Sequence, residues 1–480
     1  MAPSTGGTQP VRGARLDDTA ARVVAIVAIL LILAEAVADV LPDGPILWMV
    51  TPLRAVILLG FTAAAAGALV RARLSRGQRL RGPVGRLPRF SVWSLLWWLG
   101  SALVLLTTAI ASWSFATWSE WRSLATGIAA GALVMAVVSL WPGAWRALGA
   151  GSAVSVAVLA ATGLQQISTG AATGFCRGAL DGSADSCGAE GAVSRAIGTF
   201  SNPNLLAAAL LLLLPPAIAW AVAMWQVADR SVGVVAAVTV AGGGAVLLLT
   251  ISRGALIGAL AAAAVWVLLM RPTMTRLLVG VVGVTIGLAV LLVAFGSGRV
   301  GVREQVWKAA AQLIGEHPLG VGVGRSGDLI DLAVPGDERF AHAHNILLDQ
   351  AVTAGLAGAA ALLLVLVAAL VAGLRGAEQG RVPATVVAVA LTGFLTASML
   401  DDPSNTSRIW LLLWMALGAA LASTHSDLSV DRAADARAEP RAGLPAELPV
   451  ELPAELPADP GVEVGPRAHP GSADPAASDA

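Results

Sequence analysis

The chain of 480 residues contains no tyrosine, a single lysine among its 31 basic residues, five histidines and two cysteines. Charged residues make up only 13% of it, against about 25% in an ordinary soluble domain. So little charge excludes a soluble enzyme, which needs polar surface around its core, and a charge-rich disordered scaffold. Two cysteines cannot build a disulfide-dense secreted domain. The formal net charge is +0, so there is no bulk attraction to nucleic acid and none is expected as a partner.

What the chain does have is apolar sequence: 56% of residues are hydrophobic and 52 are glycine. The apolar runs are continuous rather than alternating, which fits membrane-spanning helices and not a β-barrel. The expected fold class is therefore an all-α polytopic membrane protein embedded in the lipid bilayer. A span needs about 20 apolar residues. Twelve stretches qualify: 20–41, 48–70, 92–112, 122–141, 147–167, 204–225, 231–250, 254–271, 277–296, 346–373, 383–400 and 408–424. The run from Val232 to Met270 would extend about 60 Å as one helix, twice the hydrocarbon thickness, and must fold back. Its polar break is Thr250-Ile251-Ser252-Arg253-Gly254. The first span lacks a clear cleavage site and is expected to be a retained anchor.

Seven arginines, from Arg71 to Arg89, lie between spans two and three, which places that loop in the cytoplasm by the positive-inside rule. Alternation then puts both termini inside. It puts the 168–203 loop, the Ser252–Arg253 turn and the 297–345 loop outside. Cys176 and Cys187 share the first of these loops, so one short-range disulfide is expected if that side is oxidising; two free thiols are the alternative. Trp93, Trp97, Trp98, Trp113, Trp118, Trp121, Trp141 and Trp145 cluster near the ends of spans three and four, as an interfacial belt would. Residues 426–480 repeat a Glu-Leu-Pro unit, and proline at that density blocks helix and sheet, so a disordered cytoplasmic tail is expected.

Three polar clusters fall on the expected outer side, where polar groups beside the bilayer carry a cost. In the first, Asn202 can cap a helix whose first turn suits Pro203, with Asn204 following. In the second, Ser252 can cap span eight, and its helix N-terminus together with the Arg253 fork suits phosphate; a snorkelling arginine is the plainer alternative. In the third, Gly301–Gly315 has helical apolar spacing and is expected to form an amphipathic helix on the membrane surface. Arg303 and Trp307 share one side of it. A glycine-rich turn, His317-Pro-Leu-Gly-Val-Gly-Val-Gly324, follows. Then come His342 and His344, with Asn345 beside them. A His-x-His pair can bind metal, but no cysteine or carboxylate cluster accompanies it, so no metal is expected. Proton transfer suits a histidine there better.

In combination these segments resemble the O-antigen ligase and O-antigen polymerase superfamily. The matching pieces occur in family order: Gly198-Thr-Phe-Ser-Asn-Pro-Asn204, Thr250-Ile-Ser-Arg-Gly-Ala255, Arg303 and Trp307 leading into the glycine-rich turn, then His344-Asn345, nine residues, and Gly355-Leu-Ala-Gly358. The resemblance implies a GT-C-like membrane glycosyltransferase. Such an enzyme takes a glycan from an undecaprenyl-diphosphate carrier at the outer face of the cytoplasmic membrane and passes it to a glycan, lipid or protein acceptor, with no cofactor. It implies that Arg253 and Arg303 hold the diphosphate, that His344 is the base, and that Asn202, Asn204 and Asn345 occupy motif positions. His342 competes with His344, which is preferred for its asparagine neighbour and spacing. Residues 1–19 then form a cytoplasmic N-terminus, 20–197 five accessory spans, 198–425 the catalytic region with its outer loop 297–345, and 426–480 the tail. The competing readings are a transporter or flippase, which would want midplane ionisable residues and inverted repeats, and a peptidoglycan polymerase, whose motifs are not evident.

Overall fold

The computed structural model describes residues 9–42, 44–46, 50–79, 91–177, 193–227, 230–269, 300–334, 340 and 342–423. All lie within the compact unit Met1–Asp427. The expected span 277–296, Cys187 and the expected disordered tail lie outside the described residues.

Five helices come first: α1 (Gln9–Ala38), α2 (Pro52–Arg79), α3 (Val92–Phe115), α4 (Trp118–Leu140) and α5 (Ala144–Ser168). Two short antiparallel strands follow, β1 (Cys176–Arg177) and β2 (Val193–Ser194), with Cys176 opposite Ser194. Then come α6 (Pro203–Val227), α7 (Arg230–Leu249), α8 (Arg253–Leu269), α9 (Val300–Glu316), α10 (Ser326–Ala333), α11 (Ile346–Glu378) and α12 (Val382–Ser398). A 3₁₀ turn at Pro403–Asn405 leads into α13 (Ser407–Ala422). Among the described residues, α1 to α7 and α11 are eight helices long and apolar enough to cross a membrane, and α8, α12 and α13 are shorter apolar helices. This is a multi-pass, helical membrane architecture. Leu58, Leu59, Val154, Val235, Val238 and Leu268 are all more than half exposed, as residues facing lipid should be.

The forced fold-back falls where the polar break is: α7 ends at Leu249 and α8 starts at Arg253. The two helices then diverge, α7 packing on α5 and α6, and α8 chiefly on α12. Lipid gives helices no hydrophobic reason to associate, so close contact depends on small residues. A Cβ on Gly418 of α13 would lie 2.0 Å from the Gly131 carbonyl of α4. One on Gly258 of α8 would lie 2.3 Å from the Gly393 carbonyl of α12.

Two expectations are corrected. Trp97 and Trp141 are 0% and 2% exposed, so they belong to the helix-packed core and not to an interfacial belt. Trp97 meets Trp98 and Trp414 edge-on, and the Trp141 indole N–H donates to Asp18. The amphipathic helix is present as α9, but its apolar side is covered by protein. Val306, Ala309, Ala310 and Leu313 pack into a cluster with Val321, Ile330, Phe340, Ala343 and Val352.

That cluster is anchored by a break in α11. Ala354 and Gly355 leave helical geometry, Gly355 with φ 71°. The glycine-rich turn fills the gap: Val321 N–H donates to the Val352 carbonyl (2.9 Å) and Gly322 N–H to the Thr353 carbonyl (3.0 Å). A Cβ on Gly320 would sit 2.3 Å from the Thr353 oxygen, and one on Gly355 2.2 Å from the Pro318 oxygen. Only glycine fits either position.

Candidate active site

The segment between Phe340 and α11 is fixed at both ends. Phe340 and Ala343 are buried in the apolar cluster above α9. Asn345 is the N-cap of α11, its Oδ1 accepting from Leu347 N–H and Leu348 N–H, both at 3.0 Å. Its Nδ2 donates to the Met399 carbonyl at the end of α12. Between these anchors His344 is held at φ 52°, a left-handed conformation that costs a non-glycine residue on the order of 1–3 kcal/mol and collects at functional sites.

The result is a convergence on one carboxylate. His342 Nε2 lies 2.7 Å and His344 Nδ1 2.9 Å from the same oxygen, Asp401 Oδ1. The backbone N–H of Asp402 also donates to it at 3.0 Å. The other oxygen, Oδ2, accepts from Asn204 Nδ2 at 2.5 Å. Asn204 sits in the first turn of α6, which Asn202 caps by accepting from Asn204 N–H (2.7 Å). Arg195 completes the assembly, donating to Asn204 Oδ1 (3.1 Å) and to the Thr250 carbonyl (2.8 Å). Asn202–Asn204, the Thr250–Arg253 turn and the two histidines are thereby joined through Asp401, Asn204 and Arg195.

Asp401 is 8% exposed. Burial alone would raise its pKa, but its hydrogen bonds from His342 and His344 hold it well below the usual carboxylate range. Burial likewise opposes charge on His342, yet the Asp401 hydrogen bond and charge outweigh it and push the imidazole up to about 9. Asp402 is pushed up to about 7, first by burial and then by the charge of Asp349. Its Oδ1 accepts from Ser404 N–H and hydroxyl. A charged His342 needs an acceptor at each ring nitrogen. Asp401 supplies one; at the other, Asn405 Nδ2 lies 3.0 Å from Nδ1 and donates to a neutral imidazole, so the charged form requires the Asn405 amide turned to present its Oδ1.

Ionised Asp401 accepts only, so His344 donates to it through Nδ1–H. A neutral His344 then carries its lone pair on Nε2, which has no partner among the described residues. This is the geometry of a general base oriented by a carboxylate.

The ligand atoms of His342, His344 and Asp401 lie within 4.8 Å of one another, close enough to consider a metal ion. The absence of a neighbouring carboxylate, on which the sequence reading discounted metal, is thus corrected by the fold.

Arg253 is the first residue of α8, preceded by buried Ser252, whose carbonyl accepts from Leu256 N–H (3.0 Å). Ile251 before it has φ 49°, a second strained backbone at the site. The start of α8 abuts the residues just before Asp401: a Cβ on Gly254 would meet Ala397 and Leu400 at 3.3 and 3.5 Å. Arg303 lies on α9, half-buried and without a hydrogen-bond or ion-pair partner among the described residues. Trp307, one turn on, is 37% exposed. Cys176 is buried and disulfide-bonded.

Asp401, Arg195 and Asn405 were not singled out from sequence. The available signal was an acidic pair, Asp401-Asp402, at the end of an apolar span in a chain poor in charge. No curated protein matches the chain. Residues 235–363, from α7 through both histidines into α11, match the family model described as O-antigen ligase, which supports placing the chain in the O-antigen ligase and O-antigen polymerase superfamily.

Proposed function

We propose that this O-antigen ligase/polymerase-type membrane protein is a metal-independent glycosyltransferase. It moves a glycan from an undecaprenyl-diphosphate carrier to a glycan, lipid or protein acceptor. The reaction takes place at the outer face of the cytoplasmic membrane, with both termini cytoplasmic. The observation that carries the reading is the hydrogen bond of 2.9 Å between His344 Nδ1 and Asp401 Oδ1.

His344 Nε2 accepts the proton of the acceptor hydroxyl as its oxygen attacks the anomeric carbon. The bond from that carbon to the diphosphate oxygen breaks, and its electron pair leaves with the lipid diphosphate. Arg253, at the positive end of α8, and Arg303 neutralise the charge that develops there. Ser252 and Trp307 flank these arginines and line the donor's path. In-line attack inverts the anomeric carbon. Asp401 keeps the His344 tautomer productive and stabilises the imidazolium that forms. His342, Asn202, Asn204 and Asn345 position this dyad. Cys176 pairs with Cys187 in the outer loop.

The test uses purified protein in liposomes with an undecaprenyl-diphosphate-linked oligosaccharide and an acceptor glycan. Release of undecaprenyl diphosphate in step with an elongated acceptor is the expected result. Movement of the lipid-linked sugar without any covalent change would instead mark a transporter and overturn the reading.

A further inference from the structure

A cavity of about 170 Å³ has none of the candidate site's residues in its walls. Its walls come from the ends of four elements. Glu35 stands near the end of α1, Arg54 in the first turn of α2, Ser123 and Thr126 on α4, and Ser407 and Arg408 at the start of α13. Arg408 ties this wall to the candidate site. Its guanidinium donates to the Thr199 carbonyl (2.8 Å), five residues before the Asn204 that holds Asp401. It also donates to the Ala36 (3.0 Å) and Val37 carbonyls at the end of α1. Arg408 itself follows Asp401 by one 3₁₀ turn and the start of α13.

The lining mixes guanidinium donors, one carboxylate acceptor and four hydroxyls, those of Thr51, Ser123, Thr126 and Ser407. Arg54 Nε donates to Thr126 Oγ1 at 3.2 Å, and Glu35 Oε2 accepts from Leu41 N–H at 2.8 Å. Both side chains are therefore held in place before a ligand arrives. A lipid tail would need an apolar groove. A pyranose instead presents a ring of hydroxyls, each donor and acceptor, and needs prearranged partners of both kinds.

We infer that this cavity is a sugar-binding subsite that seats one residue of the acceptor glycan, joined through Arg408 and Thr199 to the segment that carries Asn204. The inference rests on the glycosyltransferase reading for the word acceptor, but sugar binding itself is measured without turnover. The experiment is saturation-transfer NMR on the detergent-solubilised full chain with free hexose, N-acetylhexosamine and hexuronate as probes. At least one probe is expected to show ring-proton saturation. Ser123 is an exposed position on the cavity wall, so Ser123→Trp fills the space without disturbing the core and should abolish the signal. Glu35→Gln keeps the shape and should weaken binding at least threefold. No saturation by any probe, or saturation indifferent to both Ser123→Trp and Glu35→Gln, overturns the inference. Normal glycan transfer by His344→Ala would instead sink the catalytic reading and leave the subsite standing.

Discussion

His344 Nδ1 donates to Asp401 Oδ1 across 2.9 Å, although 57 residues and two helices separate them in sequence. The bond fixes which imidazole nitrogen is free. Replacing Asp401 by asparagine tests this. An amide nitrogen facing Nδ1 would donate to it, moving the His344 proton to Nε2 and removing the base. Asp401→Asn should lower kcat by about 10²–10⁴, the range of general acid–base catalysis, with the donor KM little changed. A steady-state split between kcat and KM, with the pH–rate profile, distinguishes this from a fold that has simply loosened.

Arg253 is expected to act through a planar fork on phosphate oxygens and not through charge alone. Arg253→Lys keeps the charge and loses the bidentate geometry. It should raise the donor KM on the order of tenfold, with Arg253→Ala and Arg303→Ala worse still. Binding of undecaprenyl diphosphate to each variant, measured by ligand-induced thermal shift, checks the assignment independently of turnover.

The charged pair between His342 and Asp401 gives stability a pH dependence. The His342 pKa rises from 6.5 unfolded to about 9 folded. Its contribution is therefore fully present below about pH 6.5 and is lost as pH climbs through 9. At 1.36 kcal/mol per unit this amounts to about 3 kcal/mol. Thermal unfolding in detergent should show Tm falling between pH 6.5 and 9.5, and His342→Gln should flatten that slope.

Gly320 and Gly355 hold the turn that plugs the break in α11, both with positive φ. Gly320→Ala or Gly355→Ala should destabilise the protein by more than about 1 kcal/mol, beyond the ordinary glycine-to-alanine effect, because the new methyl meets backbone oxygen. Limited proteolysis near the 318–324 turn would report the loosening.

If the two histidines and Asp401 serve proton transfer, stripping divalent ions should leave glycan transfer unchanged. Activity after exhaustive chelation, with metal analysis of the purified protein, decides the point. Loss of activity restored by one added metal would reassign the cluster.

The helical, membrane-spanning architecture was legible because continuous apolar runs have few other solutions; the fold-back followed from length and its place at Thr250–Gly254 from the polar break. Asn202 was legible because caps are local chemistry, whereas Asn345 stood only as a motif position until the structure showed it capping α11. Asp401 was not. A lone acidic pair at a span end looks like any solvated terminus until α12 is docked on α11 and α6, and only then does it meet His342, His344 and Asn204. The burial of Trp97 and Trp141 was hidden for a similar reason: hydropathy shows that a residue avoids water, not whether lipid or protein receives it. The covered face of α9 follows the same rule.

The central claim is that His344, held by Asp401, takes the acceptor's proton. Single-turnover transfer from an undecaprenyl-diphosphate-linked glycan in proteoliposomes, comparing the parent chain with His344→Ala, measures it most directly. The account predicts that the chemical step slows at least a hundredfold while donor binding persists. A His344→Ala protein that transfers glycan at the parent rate would contradict it.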